Sequence, residues 1–127
     1  MAAMDTRDPS HAACRRLLEH HPGPIFVPVL VVAEVTYLIE RHAGPQAELR
    51  FLAELVEGRF EATDVEQSDW VRIAELVSTY RDLRLDASDA SVIALAERLK
   101  IKQIATLDHR HFSVIRPVHV EAFELLP

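Results

Sequence analysis

The sequence has little of what disulfide-linked, zinc-binding and membrane-spanning proteins need. Cys14 is the only cysteine, which excludes an intramolecular disulfide and any zinc site built from several cysteines. No apolar run approaches the roughly 20 residues that span a bilayer, and no charged segment followed by an apolar one opens the chain. These absences predict a soluble, cytoplasmic protein.

Aromatic residues are also few, with one Trp, two Tyr and five Phe among 127 residues. Because 49% of the residues are nevertheless hydrophobic, the core must be built mainly from Leu, Val, Ile and Ala. That composition favours helices packed on a buried sheet over a β-sandwich. The net charge of −6 excludes a broad basic surface for nucleic acid. A protein of this charge that acts on RNA needs local basic residues or bound metal cations.

Helix and strand signals alternate along the chain, and no repeat, low-complexity tract or linker separates them. Apolar residues at helical spacing, bounded by Pro, Gly and capping residues, predict helices at 8–21, 28–43, 45–57, 67–82, 87–100 and 109–112. Short apolar segments predict strands at 25–27, 59–65, 104–107 and 122–125, the first of them buried on both faces. This alternation predicts a single α/β domain over residues 1–127, with a mostly parallel central sheet flanked by helices.

Glu34 lies in an apolar stretch of the second predicted helix, with Val31 and Leu38 at neighbouring positions of the helical repeat. We expect its side chain to share the core-facing stripe of that helix. A carboxylate in such a place needs a partner or a metal ion, because an unpaired buried charge is strongly disfavoured. The alternative is a glutamate at the edge of the stripe whose carboxylate reaches solvent.

Two further acids lie where a helix begins and where a strand ends. Asp89 opens the apolar face of the fifth predicted helix, and Asp108 directly follows the third predicted strand. Each also has a structural explanation: Asp89 as a first-turn acid behind an Asp86 or Ser88 cap, and Asp108 as a helix cap itself. Because open α/β sheets assemble their sites at the carboxyl ends of strands, the three acids together predict a carboxylate cluster. Such hard oxygen ligands suit Mg²⁺ or Mn²⁺, which can activate a water and stabilise phosphoryl displacement.

Several segments, taken in chain order, carry a resemblance to a known family. The run Leu85–Leu99 resembles the third-acid motif of PIN-domain nucleases, and Ile104–Phe112 resembles their fourth-acid strand, in which T-x-D precedes a basic stretch and Phe. The run Val27–Val35 resembles their second-acid helix. Asp8–Ala13 is similar to the first helix of VapC toxins, and Phe112–Pro117 is similar to their chain ending. The resemblance covers essentially the whole chain.

This resemblance implies a PIN-like three-layer α/β fold and a Mg²⁺-dependent endoribonuclease toxin. Glu34, Asp89 and Asp108 would be the catalytic, metal-binding carboxylates, with Mn²⁺ as a possible substitute ion, and Thr106 would add a supporting hydrogen bond. The implied partners are RNA, a second copy of the chain in a homodimer, and a cognate VapB-like antitoxin. The antitoxin would wrap the toxin and block the acidic pocket with a basic side chain, and the third and fourth helices could supply the dimer surface.

The sequence departs from the family at its first element. PIN domains resemble one another most at a first strand ending in Asp, and no apolar strand precedes Asp5 here; the spacing from Asp5 to Glu34 is also too short. We therefore expect the domain to be N-terminally incomplete, with Met1 an internal methionine. The alternative function is a catalytically impaired PIN-like protein that only binds its antitoxin. A receiver-like signalling domain would want paired acids on a first strand and a Lys after the last one, and neither is present.

Basic residues close to the predicted acids are the remaining candidates for contact with RNA. Arg84, His109, Arg110 and His111 are near enough in sequence to meet phosphates, although solvated charge is the simpler explanation for each. The seven His residues show no metal-ligand spacing.

Overall fold

A computed structural model describes residues 11–106 and 109–126 of the chain, apart from several individual side chains. Within these ranges the elements alternate as expected for an α/β protein, and that fold class is confirmed. The helices are α1 (His11–His20), α2 (Val29–Ala43), α3 (Pro45–Glu57), α4 (Gln67–Thr79), a 3₁₀ turn (Arg81–Leu83), α5 (Ala87–Leu99) and α6 (His109–Val114). The strands are β1 (Ile25–Pro28), β2 (Phe60–Thr63), β3 (Gln103–Ala105) and β4 (Glu124–Leu126).

The chain divides into two compact units, residues 1–63 and residues 64–127. The single domain expected from the sequence therefore remains a prediction. Among the described residues, each unit contains one pair of parallel strands, so the prediction of parallel pairing is confirmed within both. None of the helices in the described part of the chain is long and apolar enough to cross a membrane.

The first unit is organised around the parallel pair of β1 and β2, in which Ile25 lies opposite Phe60. Ile39 of α2 and Ala47 and Phe51 of α3 form its buried cluster. The Phe51 and Phe60 rings pack with their centroids 5.5 Å apart, which joins α3 to the strand pair. These contacts bury one face of each helix against the other helix and the sheet, as amphipathic helices require.

A single residue, Gly44, connects α2 to α3. Its backbone has φ 86° and ψ 174°, a region that residues with a side chain rarely occupy. Its N–H donates to the Glu40 carbonyl oxygen at 3.0 Å, and its own carbonyl oxygen accepts from the Glu48 N–H at 3.3 Å. Gly44 therefore ends one helix and begins the next, and Pro45 takes the first helical position of α3, where a missing N–H costs nothing.

One expectation about buried faces in this unit is wrong. The first strand does not bury both faces, since Phe26 is 41% exposed while Ile25 and Val27 are partly buried. The alternation follows from the two-residue period of a strand. On α3, the packed residues are Ala47, Phe51 and Leu55, whereas the other apolar residues of that helix point outward. These exposed residues are Leu49, Leu52 and Val56.

The second unit is built on α5, which lies against α4 and shares a buried cluster with Ile104 of β3. Five apolar residues of α5 are buried: Ala90, Ile93, Ala94, Leu95 and Ala96. A helix that is apolar on most sides lies in the interior of its unit. The same core takes Ile73 and Leu76 from α4 and Ile115 from the segment after α6, and Leu76 and Ile115 are 1% and 0% exposed.

Candidate functional site

Asp89 lies in the first turn of α5, and its position is fixed by a cap. Asp86 precedes the helix with an extended backbone, and its Oδ1 accepts the Asp89 backbone N–H at 2.8 Å. Of the two capping residues that the sequence allowed, Asp86 is thus the one that caps, while the Ser88 carbonyl oxygen accepts the Ser91 hydroxyl at 2.6 Å. Asp89 is partly buried at the end of the helix where the dipole favours a carboxylate.

Thr106 directly follows β3, at the carboxyl end of that strand. Its backbone N–H donates to the Leu126 carbonyl oxygen at 2.7 Å, which extends the pairing of β3 with β4 by one residue. Thr106 is partly buried. Asp108 lies two residues further along and outside the described residues. Its predicted place beyond the strand end therefore remains an expectation, as does its alternative role as a cap of α6.

Glu34 is exposed, so the expectation that it shares the core-facing stripe of α2 is wrong. The packed stripe of this helix is formed by Val32, Val35 and Ile39, at the spacing of one helical face. Glu34 projects from a different side of the helix, so its carboxylate reaches solvent without a burial cost. The alternative expectation was a solvent-exposed carboxylate at the edge of the stripe, and the exposure of Glu34 agrees with that part of it. The role of Glu34 in metal binding stays a prediction.

The predicted site residues lie in both units of the chain. Asp89 and Thr106 belong to the second unit and Glu34 to the first. Among residues 11–106 and 109–126, no group of three or more His, Cys, Asp or Glu side chains could hold a metal ion. Asp108, one of the three predicted ligands, lies outside these ranges. The carboxylates of Glu34 and Asp89 are the type of ligand that suits Mg²⁺ or Mn²⁺, because both ions prefer hard oxygen ligands.

A pair of buried ionic contacts joins α4 to α5, and sequence reasoning did not find it. Glu97 is 6% exposed, and its two carboxylate oxygens accept from the Arg72 guanidinium at 2.7 and 3.0 Å. Its Oε2 also accepts the Val118 backbone N–H at 2.9 Å. The hydrogen bond to Glu97 raises the pKa of Arg72 above its ordinary value, against the opposing effect of burial. Glu97 therefore ties α4 and the segment after α6 to α5.

The second contact involves Asp69, which is also 6% exposed. Its carboxylate accepts from the Arg98 Nε at 3.0 and 3.2 Å and from the Glu66 backbone N–H at 2.9 Å. Arg98 also lies 3.3 Å from the Glu66 carboxylate and donates to the Asp64 carbonyl oxygen at 3.0 Å. The start of α4 is thus fixed to the last turn of α5, the helix whose first turn contains Asp89.

The sequence offered one signal for these contacts. Glu97 and Arg98 follow a run of α5 residues that are mostly apolar, so a charge at position 97 on such a helix requires a partner. The sequence does not identify the partners, because Arg72 is 25 residues from Glu97 and Asp69 is 29 residues from Arg98. Pairing over that separation depends on how the two helices cross.

Comparison with known proteins agrees with this fold. The PIN domain family matches residues 1–116 of the chain. The chain is 35% identical to the ribonuclease VapC26 of Mycobacterium tuberculosis over 127 residues, which cover the whole chain and 94% of that relative. Its structure is similar to that of VapC20 from Mycobacterium tuberculosis, described as a Sarcin-Ricin loop cleaving toxin. That match has a TM-score of 0.72 and 19% identity, and it covers 80% of this chain and 78% of the other. The match to VapC20 shows a shared fold, and the family match together with the 35% identical relative establishes that this chain belongs to the VapC ribonucleases of the PIN-domain family.

Proposed function

We propose that this chain is a Mg²⁺-dependent endoribonuclease that cleaves RNA at a site formed by Glu34, Asp89 and Asp108. The observation that carries the proposal is the capped start of α5. The Asp86 cap fixes the backbone of Asp89 in the first turn of the helix, and the partly buried side chain of Asp89 starts from that fixed backbone. A rigid backbone of this kind is what a metal ligand needs, since its geometry must be set before the ion binds.

Each residue has a separate part in this proposal. Glu34, Asp89 and Asp108 would hold Mg²⁺, or Mn²⁺ in its place, and the ion would activate a water and stabilise the charge that develops on the phosphate. Thr106, whose backbone is anchored to β4 through Leu126, would orient the site by a hydrogen bond from its hydroxyl. The exposed position of Glu34 leaves its carboxylate able to reach an ion without first breaking a buried contact.

The proposed partners follow from the family and from charge. VapC26 is named a ribonuclease and VapC20 a toxin that cleaves the Sarcin-Ricin loop, and we extend the ribonuclease activity, without the choice of RNA, to this chain. The net charge of −6 favours a basic protein partner, and a VapB-like antitoxin would be that partner. We also propose that the chain forms a homodimer and acts in the cytoplasm, where its RNA substrate is found.

The proposal is tested by incubating the chain with ribosomal RNA in Mg²⁺, in EDTA, and as the Asp89→Asn variant. We expect cleavage by the unchanged chain and none in the other two cases, because EDTA removes the ion and the substitution removes one ligand charge. Asp82→Asn is the matched control: Asp82 is exposed, and the change removes the same charge from the 3₁₀ turn just before α5. It should cleave normally.

Thermal melting of all three proteins shows whether each is folded. Cleavage that survives Asp89→Asn or EDTA would contradict the proposal. A folded chain that never cleaves, yet still binds a VapB-like antitoxin, would instead support a catalytically impaired protein. Calorimetric titration of such a chain with Mg²⁺ then shows whether it fails to bind the metal ion or binds the ion but fails to cleave RNA.

A further inference from the structure

Arg84 occupies an unusual backbone position just before α5. Its φ of 57° and ψ of 39° lie in the left-handed region, and its N–H donates to the Arg81 carbonyl oxygen at 3.0 Å. In the described part of the chain, only one other non-glycine residue has a positive φ, Lys100 with φ 59°. These two residues stand at opposite ends of α5. A left-handed backbone disfavours any residue with a Cβ, so local conformation alone does not account for arginine at position 84.

The guanidinium of Arg84 also pairs with no other group in the described part of the chain. Three other arginines of the second unit have partners: Arg72 and Arg98 form ion pairs with buried carboxylates, and Arg116 donates to backbone carbonyl oxygens. The exposed guanidinium of Arg84, in contrast, has no ion-pair or hydrogen-bond partner among the described residues. This holds although Asp82 lies two residues before it and the chain has a net charge of −6.

We propose that Arg84 binds a phosphate of the RNA backbone next to the bond that is cut, as a positioning residue. The inference rests on the proposed function. Arg84 lies two residues before the Asp86 cap and five before Asp89, at the same end of α5. An RNA strand that reaches the carboxylates is repelled by them, and a cation at this end offsets part of the repulsion. Guanidinium binds phosphate through two parallel hydrogen bonds, and such contacts fix the position of the strand without reading its sequence.

The left-handed turn fixes the point from which the Arg84 side chain extends. The backbone of residue 84 is anchored to Arg81 at one side and to the capped helix at the other, so the side chain starts from a fixed point. Since no described carboxylate pairs with the guanidinium, none of them must release it before it meets a phosphate. Arg110 of α6 is also exposed, and we assign it no phosphate contact.

The test measures binding of a short fluorescein-labelled RNA hairpin by fluorescence anisotropy over a series of KCl concentrations. All proteins have the Asp89→Asn background, so that the RNA stays intact. We expect Arg84→Gly to weaken binding about 10-fold, as the loss of one charged hydrogen-bonding contact implies. The slope of log K against log salt should fall by about 0.7 to 0.9, the change for one phosphate contact. Arg84→Lys should restore the slope but not all of the affinity, because ammonium cannot bind in the two-pronged manner.

Lys100→Gly is the matched control. It removes the same charge and relieves the same left-handed backbone at the other end of α5, so the affinity and the salt slope should both be unchanged. Equal effects of Arg84→Gly and Lys100→Gly would show that only net charge matters and would overturn the proposal. So would an unchanged slope in Arg84→Gly.

Kinetics with the active chain separate this inference from the proposed function. If Mg²⁺-dependent cleavage is found, Arg84→Gly should raise KM about 10-fold with little change in kcat; an unchanged KM would overturn the phosphate contact and leave the nuclease standing. If the chain does not cleave but the salt slope still falls on substitution of Arg84, the RNA contact stands and the proposed activity fails.

Discussion

The buried carboxylate of Glu97 provides the sharpest test of what holds the second unit together. Glu97→Gln keeps the size of the side chain but removes its charge, and one oxygen acceptor becomes an NH₂ donor. Three hydrogen bonds end at this carboxylate: two from Arg72 at 2.7 and 3.0 Å and one from the Val118 N–H at 2.9 Å. The new NH₂ group must face one of these donors. The variant therefore loses at least one bond and leaves the Arg72 cation without its main partner.

The size of the effect follows from burial. Removing one partner of a fully buried pair costs about 3–5 kcal/mol. The Arg72 side chain is 26% exposed and keeps Glu75 at 3.3 Å, so water and Glu75 offset part of that cost. We expect Glu97→Gln to lower the free energy of unfolding by about 2–3 kcal/mol. For a domain of this size that lowers Tm by roughly 6–12 °C, which circular dichroism and calorimetry both measure.

Glu75→Gln is the control, because Glu75 contacts the same guanidinium from a side chain that is 58% exposed. An exposed ion pair contributes less than about 1 kcal/mol, so Tm should barely change. A double-mutant cycle with Arg72→Met should give a coupling of about 1–3 kcal/mol between positions 72 and 97. If Glu97→Gln and Glu75→Gln had the same effect, the buried carboxylate would not be what fixes α4 to α5.

The sign of the pH dependence is also fixed by this pair. The hydrogen bond to Glu97 raises the pKa of Arg72 in the folded chain. A raised folded-state pKa gives stability that is fully present below the pKa of arginine in the unfolded chain and is lost only as pH rises through the folded-state pKa. Ionisation of Arg72 should therefore add no pH dependence to stability between about pH 6 and pH 9. Urea unfolding at several pH values, compared with that of Arg72→Met, checks this.

Two further predictions concern the helix with Asp89 and the core beneath it. Asp86→Ala removes the cap of α5 and should cost about 1 kcal/mol of unfolding free energy, whereas Asp86→Ser should restore most of it; urea unfolding measures both, and equal stability of Asp86→Ala and the unchanged chain would contradict the capping role. Ile115→Ala empties a site that is 0% exposed and should cost about 2–5 kcal/mol. Val71→Ala, at 60% exposure, should cost less than about 0.5 kcal/mol, and a similar loss in both variants would place Ile115 outside the core.

Most helix boundaries could be predicted from the sequence because glycine, proline or capping residues lie at them. The helix expected at 45–57 is α3, Pro45–Glu57, with Gly44 and Gly58 on either side. The helix expected to run to residue 82 instead ends at Thr79 and continues as a 3₁₀ turn, since no glycine or proline marks that end. The strand expected at 59–65 is shorter, Phe60–Thr63, because pairing with the four residues of β1 sets its length.

Contacts between distant residues were less predictable. The Asp86 cap depends on a residue three positions away and could be inferred, whereas the Arg72–Glu97 pair depends on the crossing of two helices. The exposure of Glu34 was missed because two overlapping apolar stripes run along α2, one through Val31 and Leu38 and one through Val32 and Val35. Spacing alone does not say which stripe packs. The packing of Ile39 against α3 decides in favour of the second.

The one-residue connection at Gly44 has a consequence for how the chain acquires its structure. A methyl group added at this position would meet no atom within 4 Å, so crowding does not exclude alanine. The backbone angles do, since φ 86° with ψ 174° is disfavoured for any residue with a side chain. Because the connection is so short, bringing α2 and α3 together closes almost no loop and costs little chain entropy. The two helices can therefore pair early in folding from contacts that are close in sequence. A residue with a side chain at position 44 would require a different backbone conformation, and the one-residue connection would be lost.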